Sequence, residues 1–180
     1  MPNYCSNAIV VKSNGSKEAE RELVEFFERI DSTKGKSQSG IFSEFVSGKY
    51  MDSSEWRSDN WGTGWDIGHK AITFVTENHM TFETSWSPPI QWVLTVSKEY
   101  PRLIFEIAFS EMGMSFAGVI EAQDGEVLSE DEVEVGWTPD EDEWLDANPD
   151  KDEEYFLDLV RKPNAEWLAL MDKYKIEEGG

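Results

Sequence analysis

Residues Ala8 to Lys12 make a short apolar run after a polar opening and stop at Ser13-Asn14-Gly15-Ser16, which predicts a strand followed by a turn. The period then changes. From Ser16 to Ile30, Leu23, Phe26, Phe27 and Ile30 recur at i, i+3, i+4 and i+7, while Glu18, Glu22, Glu25 and Arg29 take the opposite side. That is an amphipathic helix with Ser16 as its cap and acids in its first turn. Regular alternation returns at Lys70–Thr76 and His79–Trp86, where Ile72, Phe74, Met80 and Phe82 mark one face and Glu77-Asn78 suits a tight hairpin. Pro88-Pro89 stops the second strand and opens a helix over Ile90–Tyr100, anchored by Val93, Leu94 and Val96 and ended by Pro101.

Arg102–Ser110 and Met114–Glu121 form a second predicted hairpin, with Leu103, Phe105, Ile107 and Phe109 alternating before Glu111-Met112-Gly113. Gly118 marks a bulge or the close approach of another backbone. Asp124-Gly125 is a further turn, and Val127–Val135 reads as a ragged, charged edge strand. The order β-α-insertion-β-β-α-β-β predicts an α+β fold: a split βαβ antiparallel sheet with helices on one face. The insertion spans residues 31–68, longer than an ordinary connection, so it should hold short structure or serve a purpose. Within it Gly40–Val46 is too short to assign by period, and Tyr50–Arg57 fits a helical turn or two.

Charge changes the picture after residue 120. The 180-residue chain has a formal net charge of -21, and of this residues 121–180 hold -16, from 21 acids against 5 bases. A boundary near Glu121 divides residues 1–125, the split-βαβ domain, from 126–180, an acidic extension. The extension still carries helical stripes: Asp140–Ala147 fits a short helix, Tyr155, Phe156, Leu159 and Val160 share a face, and so do Trp167, Leu168, Leu170 and Met171. Each stripe must bury against something, so the extension is expected to dock on the same domain, with Glu177–Gly180 frayed. With no basic stripe, direct nucleic-acid binding is not expected. A basic protein partner is the electrostatic complement, engaged by Glu130, Asp131, Glu132, Glu134, Asp140, Glu141, Asp142, Glu143, Asp152, Glu153 and Glu154. Placed regularly, these acids imitate phosphates; scattered, they only keep the chain soluble.

Chemistry is sparse. Cys5 is the single cysteine, which excludes an intrachain disulfide and an iron-sulfur cluster. The opening residues lack the pattern of a signal peptide and no apolar run reaches membrane-spanning length, so a soluble cytoplasmic protein is expected. His69 and His79, with Asp66, Glu77 and Glu83 nearby, make no tight ligand spacing, and no metal or cofactor is expected. Gly62-Thr63-Gly64 lacks the lysine of a phosphate loop. Glu106 and Glu111 are candidates for a general acid near Trp65, but among 37 acids a solvated face is the simpler reading. Ser6, Ser85 and Ser87 have no relay and Cys5 has no thiolate-stabilising neighbour, so an enzyme is the weaker expectation.

Two aromatic stretches stand out: Asn60-Trp61-Gly62-Thr63-Gly64-Trp65-Asp66 and Thr84-Ser85-Trp86-Ser87-Pro88-Pro89. Two readings stay open. Trp61, Trp65 and Trp86 brace a core where a long loop crosses it, or they line a pocket whose polar entrance holds Asn60, Thr63 and Asp66.

These two stretches, with Met1-Pro2-Asn3-Tyr4-Cys5-Ser6-Asn7 and Glu111-Met112-Gly113-Met114-Ser115-Phe116-Ala117-Gly118, resemble the Api92-like or YubB-like family over roughly residues 1–125. The resemblance implies a ferredoxin-like domain and an origin in phages, plasmids or bacterial genomes. It supplies no catalytic residues. Tyr4 stands where the family commonly has tryptophan and Gly64 where it has lysine, which removes a positive charge from the loop. The expected function is a non-enzymatic interaction module binding a basic protein. Small-molecule binding or a minor activity near Trp65, Asp66 and Trp86 is the alternative, and a purely structural domain the third.

Overall fold

The computed structural model describes residues 3–36, 40–133, 141–152, 155–156 and 165–176, except that the side chains of Glu141, Asp142 and Glu143 are outside the description. Its strands are β1 (Tyr4–Ser13), β2 (Thr73–Thr76), β3 (His79–Ser85), β4 (Leu103–Glu111), β5 (Phe116–Gln123) and β6 (Glu126–Val133). Its helices are α1 (Lys17–Asp31), α2 (Ile41–Phe45), α3 (Ser54–Trp61), α4 (Ile90–Glu99), α5 (Glu141–Ala147) and α6 (Ala165–Tyr174). The expected helical stripe through Leu159 and Val160 lies outside the described residues, as do Glu134, Asp140, Glu153, Glu154 and the residues from Glu177 on.

One sheet runs in the order β2-β3-β1-β4-β5-β6, every neighbouring pair antiparallel. β3 lies between β1 and β2, and β1 between β3 and β4. These four strands therefore interleave two split βαβ units whose crossovers are α1 and α4, the ferredoxin-like arrangement. β5 and β6 continue the sheet beyond β4. The Asp124-Gly125 turn joins them with both residues in the left-handed region (φ 49° and 80°), the requirement of a two-residue hairpin matched to strand twist. Gly118 meets the second of its two expectations, since a Cβ there would lie 2.9 Å from the Asp131 carbonyl oxygen of β6.

α1 forms where its period places it, its Ser16 hydroxyl accepting from the Ala19 amide at 3.2 Å. Phe26 and Ile30 are buried from it, and Phe26 meets Phe45, Tyr100 and Phe105 at ring centroid distances of 5.3, 5.6 and 5.3 Å. α4 buries Trp92, Val93 and Val96 beside it. Ile9 and Val11 of β1 face this core, as do Phe105 and Ile107 of β4. The 31–68 insertion joins the core through Ile41, Phe42 and Phe45 of α2 and through Trp61 of α3. α3 starts later than Tyr50, because Ser53 caps it and Gly62, with φ 83°, ends it. β2 is shorter than expected, since His69–Ala71 coil into a 3-10 turn.

The opposite face of the sheet is also covered. Alternate residues of β1 point there, and Ala8, Val10, Ala108, Ala117 and Val119 meet Trp167, Leu170, Met171 and Tyr174 of α6. Three alanines leave room for the helix to come close. Its end is fastened by His79, whose Nε2 donates to the Tyr174 carbonyl at 2.9 Å. Beneath it Lys12 Nζ bridges Glu106 at 2.6 Å and Glu121 at 3.0 Å, and the Tyr174 hydroxyl also bonds Glu106. Among the described residues no helix is long and apolar enough to cross a membrane.

Candidate functional site

The two tryptophan-bearing stretches are one tertiary unit. The Thr63 hydroxyl donates to the Ser85 carbonyl at 3.0 Å, the Gly64 amide to Ser85 Oγ at 3.1 Å, and the Ser87 hydroxyl to the Gly62 carbonyl at 2.5 Å. Gly62 is required for a further reason: a Cβ there would stand 3.0 Å from the Pro88 carbonyl oxygen.

Within this unit the candidate residues divide. Trp61 is 2% exposed, packs on Phe42 and Trp56, and donates its indole N–H to the Val46 carbonyl at 2.8 Å, so it is core and not pocket wall. Thr63 is buried by its bond to Ser85, and the Asn60 amide turns back on the Trp56 carbonyl of its own helix at 2.8 Å. Asp66 is a helix cap rather than a free acid. Its carboxylate accepts from the amides of Phe42 (2.7 Å), Ser43 (3.0 Å) and Ile67 (2.8 Å), satisfying the start of α2. Trp86 is 49% exposed with φ 67°, a left-handed conformation uncommon for a bulky residue, and its amide donates to the Asn3 carbonyl at 3.0 Å.

Trp65 is the tryptophan that borders a cleft. It is 38% exposed and stands beside Tyr4 at a ring centroid distance of 6.3 Å, on the rim of a cleft of about 750 Å³. The floor is the part of the second sheet face that α6 leaves uncovered: Ser6 of β1, Thr81 and Glu83 of β3, and Thr73 of β2. Lys175 and Ile176 close the far side. Trp86, Asn60 and Thr63 are not among the lining residues. The sequence signal that was missed is the parity of Ser6, Thr81 and Glu83, polar residues that share a face through the cross-strand pairs Ser6–Glu83 and Ala8–Thr81.

The other candidate surface is the outer strand. Glu130, Asp131 and Glu132 lie on β6, where residues 126–132 are all exposed, and none of them forms an ion pair among the described residues. Asp152 is also exposed and accepts from the Tyr155 amide at 2.9 Å. Glu141, Asp142 and Glu143 open α5.

The titratable groups considered as catalysts have structural partners. Glu106 would be raised by burial, but the hydrogen bonds from Lys12 and Tyr174 outweigh this and hold it below the usual carboxylate range. Glu111 braces its turn, accepting from the amides of Gly113 at 2.9 Å and Met114 at 2.5 Å. Burial, and then the Glu111 charge, push the Cys5 thiol up to about 12. His69 contacts Asp31 at 3.1 Å and His79 holds α6. Among the described residues no three His, Cys, Asp or Glu side chains converge as a metal site.

Residues 60–147 match the family model for the ferredoxin-like domain in Api92-like protein. The match begins at the end of α3 and takes in β6 and α5, so it reaches further into the acidic extension than the resemblance over 1–125 implied and leaves out β1 and α1. Among solved structures, a crystal structure of a protein api92 from Yersinia pseudotuberculosis is similar at 18% identity, with 48% of this chain and 31% of that chain covered and a TM-score of 0.37. The chain thus spans about a third of the length of that protein. No curated protein matches.

Proposed function

Taking residues 60–147 as a member of the family of ferredoxin-like domains in Api92-like proteins, we propose that the protein is a non-enzymatic interaction module whose partner is a basic protein. The observation that supports this is β6: an outer strand with residues 126–132 exposed and Glu126, Glu130, Asp131 and Glu132 free of ion pairs among the described residues. Unpaired charges on one rim repel one another, and an oppositely charged surface relieves that repulsion and speeds encounter. The net -16 of residues 121–180 extends the field in the same sense. The test is a pull-down from host lysate with the wild-type chain and with Glu130→Gln, Asp131→Asn and Glu132→Gln combined. A basic protein retained by the wild type, and lost both in the variant and at about 0.5 M salt where screening shortens to a few ångströms, is expected. Equal recovery by the two chains would overturn it.

A second reading is favoured by the cleft beside Trp65: binding of a small molecule on the open part of the sheet, with Tyr4 and Trp65 as an aromatic rim. Trp86 has no part in this version, and the Asp66 carboxylate, which lines the cleft, is engaged by the amides of Phe42, Ser43 and Ile67.

A further inference from the structure

The cleft has a chemical character that narrows its ligand. Ser6 lines the cleft, and its hydroxyl makes no side-chain hydrogen bond among the described residues, so it is free to meet a ligand. Directly across the strand pair is Glu83, exposed to the cleft and without an ion pair among the described residues. Thr81 and Thr73 are paired in register on the same floor. Lys175 is the cation of the lining, and its ammonium turns back to Asp172 at 3.0 Å. The side chains presented are therefore mainly acidic: Glu83 is unpaired among the described residues, and the Asp66 carboxylate lines the cleft while accepting from backbone amides.

Above this floor stand the rings of Tyr4 and Trp65, inclined at 56° to one another and both substantially exposed. An aromatic rim, an unpaired carboxylate and hydroxyls open to the cleft favour one ligand class over the others. A carboxylate or phosphate is repelled, and a neutral apolar molecule leaves Ser6 and Glu83 unserved. A planar cation stacks on the rings and sends N–H donors down to the acceptors. We infer that the cleft binds a guanidinium group, with Trp65 and Tyr4 against its face and Glu83, Ser6 and Thr81 accepting from its edge. This rests on the second reading, small-molecule binding at the cleft, and supplies its ligand class. The guanidinium can belong to a free metabolite or to an arginine of a polypeptide.

The test is an amide NMR titration of the full chain with N-acetyl-arginine-methylamide, with the capped citrulline analogue as its uncharged counterpart. Saturable shifts at Ser6, Trp65, Thr81 and Glu83 are expected for the arginine compound with a dissociation constant of about 1–10 mM, the range of a single small anchor. Glu83→Gln should weaken binding about tenfold, as for loss of one charge-assisted pair. Glu83 is exposed, so the variant keeps its fold, and an unchanged amide spectrum away from the cleft checks this. A short peptide containing one arginine separates the sources: binding more than tenfold tighter than the capped residue assigns a polypeptide, and equal affinity assigns a free metabolite. Equal shifts with citrulline overturn the charge assignment and leave the small-molecule reading standing. No saturable shift with the arginine compound, or full binding by Glu83→Gln, overturns the inference.

Discussion

Asp66 Oδ1 accepts the amide proton of Phe42 at 2.7 Å, across 24 positions of sequence, and so ties the loop after Trp65 to the start of α2. The other carboxylate oxygen takes the Ser43 amide at 3.0 Å. Asp66→Ala should therefore cost about 1–3 kcal/mol, the range for removing a cap whose donors stay partly buried. Urea denaturation checks it, and a loss below about 0.5 kcal/mol would show that α2 is held by packing alone.

The two tryptophans of the Trp61–Trp65 loop should separate in stability. Trp61→Ala empties a site between Phe42 and Trp56 and strands the Val46 carbonyl, so a loss of about 3–5 kcal/mol is expected. Trp65→Ala, on the rim of the cleft, should cost less than about 1 kcal/mol. Paired melting curves read the difference, and equal losses would contradict the division of this loop into core and rim.

Stability should depend on Glu106 in a pH-dependent way. The groups facing it are Lys12, Tyr174, Lys173 and Glu121. Its pKa is lowered on folding, because the bonds from Lys12 and Tyr174 outweigh burial. The ionised form is then favoured by the fold, and its contribution is present above the ordinary glutamate pKa of about 4.3 and lost as pH falls through the lower folded value. Glu106→Gln should be less stable than wild type at neutral pH, and the gap should narrow on acidification below about pH 4. Denaturation midpoints of both chains across that range measure it; a gap that stays constant would show that the charge of Glu106 contributes nothing.

Cys5 should be inert in the native state. It is fully buried, and burial together with the Glu111 charge keeps its thiol protonated to about pH 12. Iodoacetamide at about pH 8 should leave it unmodified over hours and label it promptly in urea, read by intact mass. Rapid native labelling would show that the β1 end of the sheet opens.

Much of the fold was legible because its elements announce themselves locally. The stripe from Leu23 to Ile30 has one helical face, and the alternation from Leu103 to Phe109 has one sheet face. Where local signals compete the reading slipped by a few residues: β2 starts at Thr73 because His69–Ala71 coil first, and β5 starts at Phe116 because Ser115 takes a positive φ of 56°. The site was less legible. Trp61 and Trp65 are the same residue type four positions apart, and nothing in their spacing says that Phe42 and Trp56 close over one of them.

The sequence by itself determined most of the strands and helices and the acidity of the final third, since each depends on residues at or within a few positions, and the order of those elements pointed to the split βαβ plan, whose strand pairs such as Ser6 with Ser110 join distant parts of the chain. Only the tertiary structure decided that α6 covers one part of the second sheet face and leaves Ser6, Thr81 and Glu83 open, that Asp66 serves α2, and that Trp65 rather than Trp61 meets solvent. Burial and hydrogen bonding are settled by what arrives from distant parts of the chain, and periodicity carries no record of those arrivals.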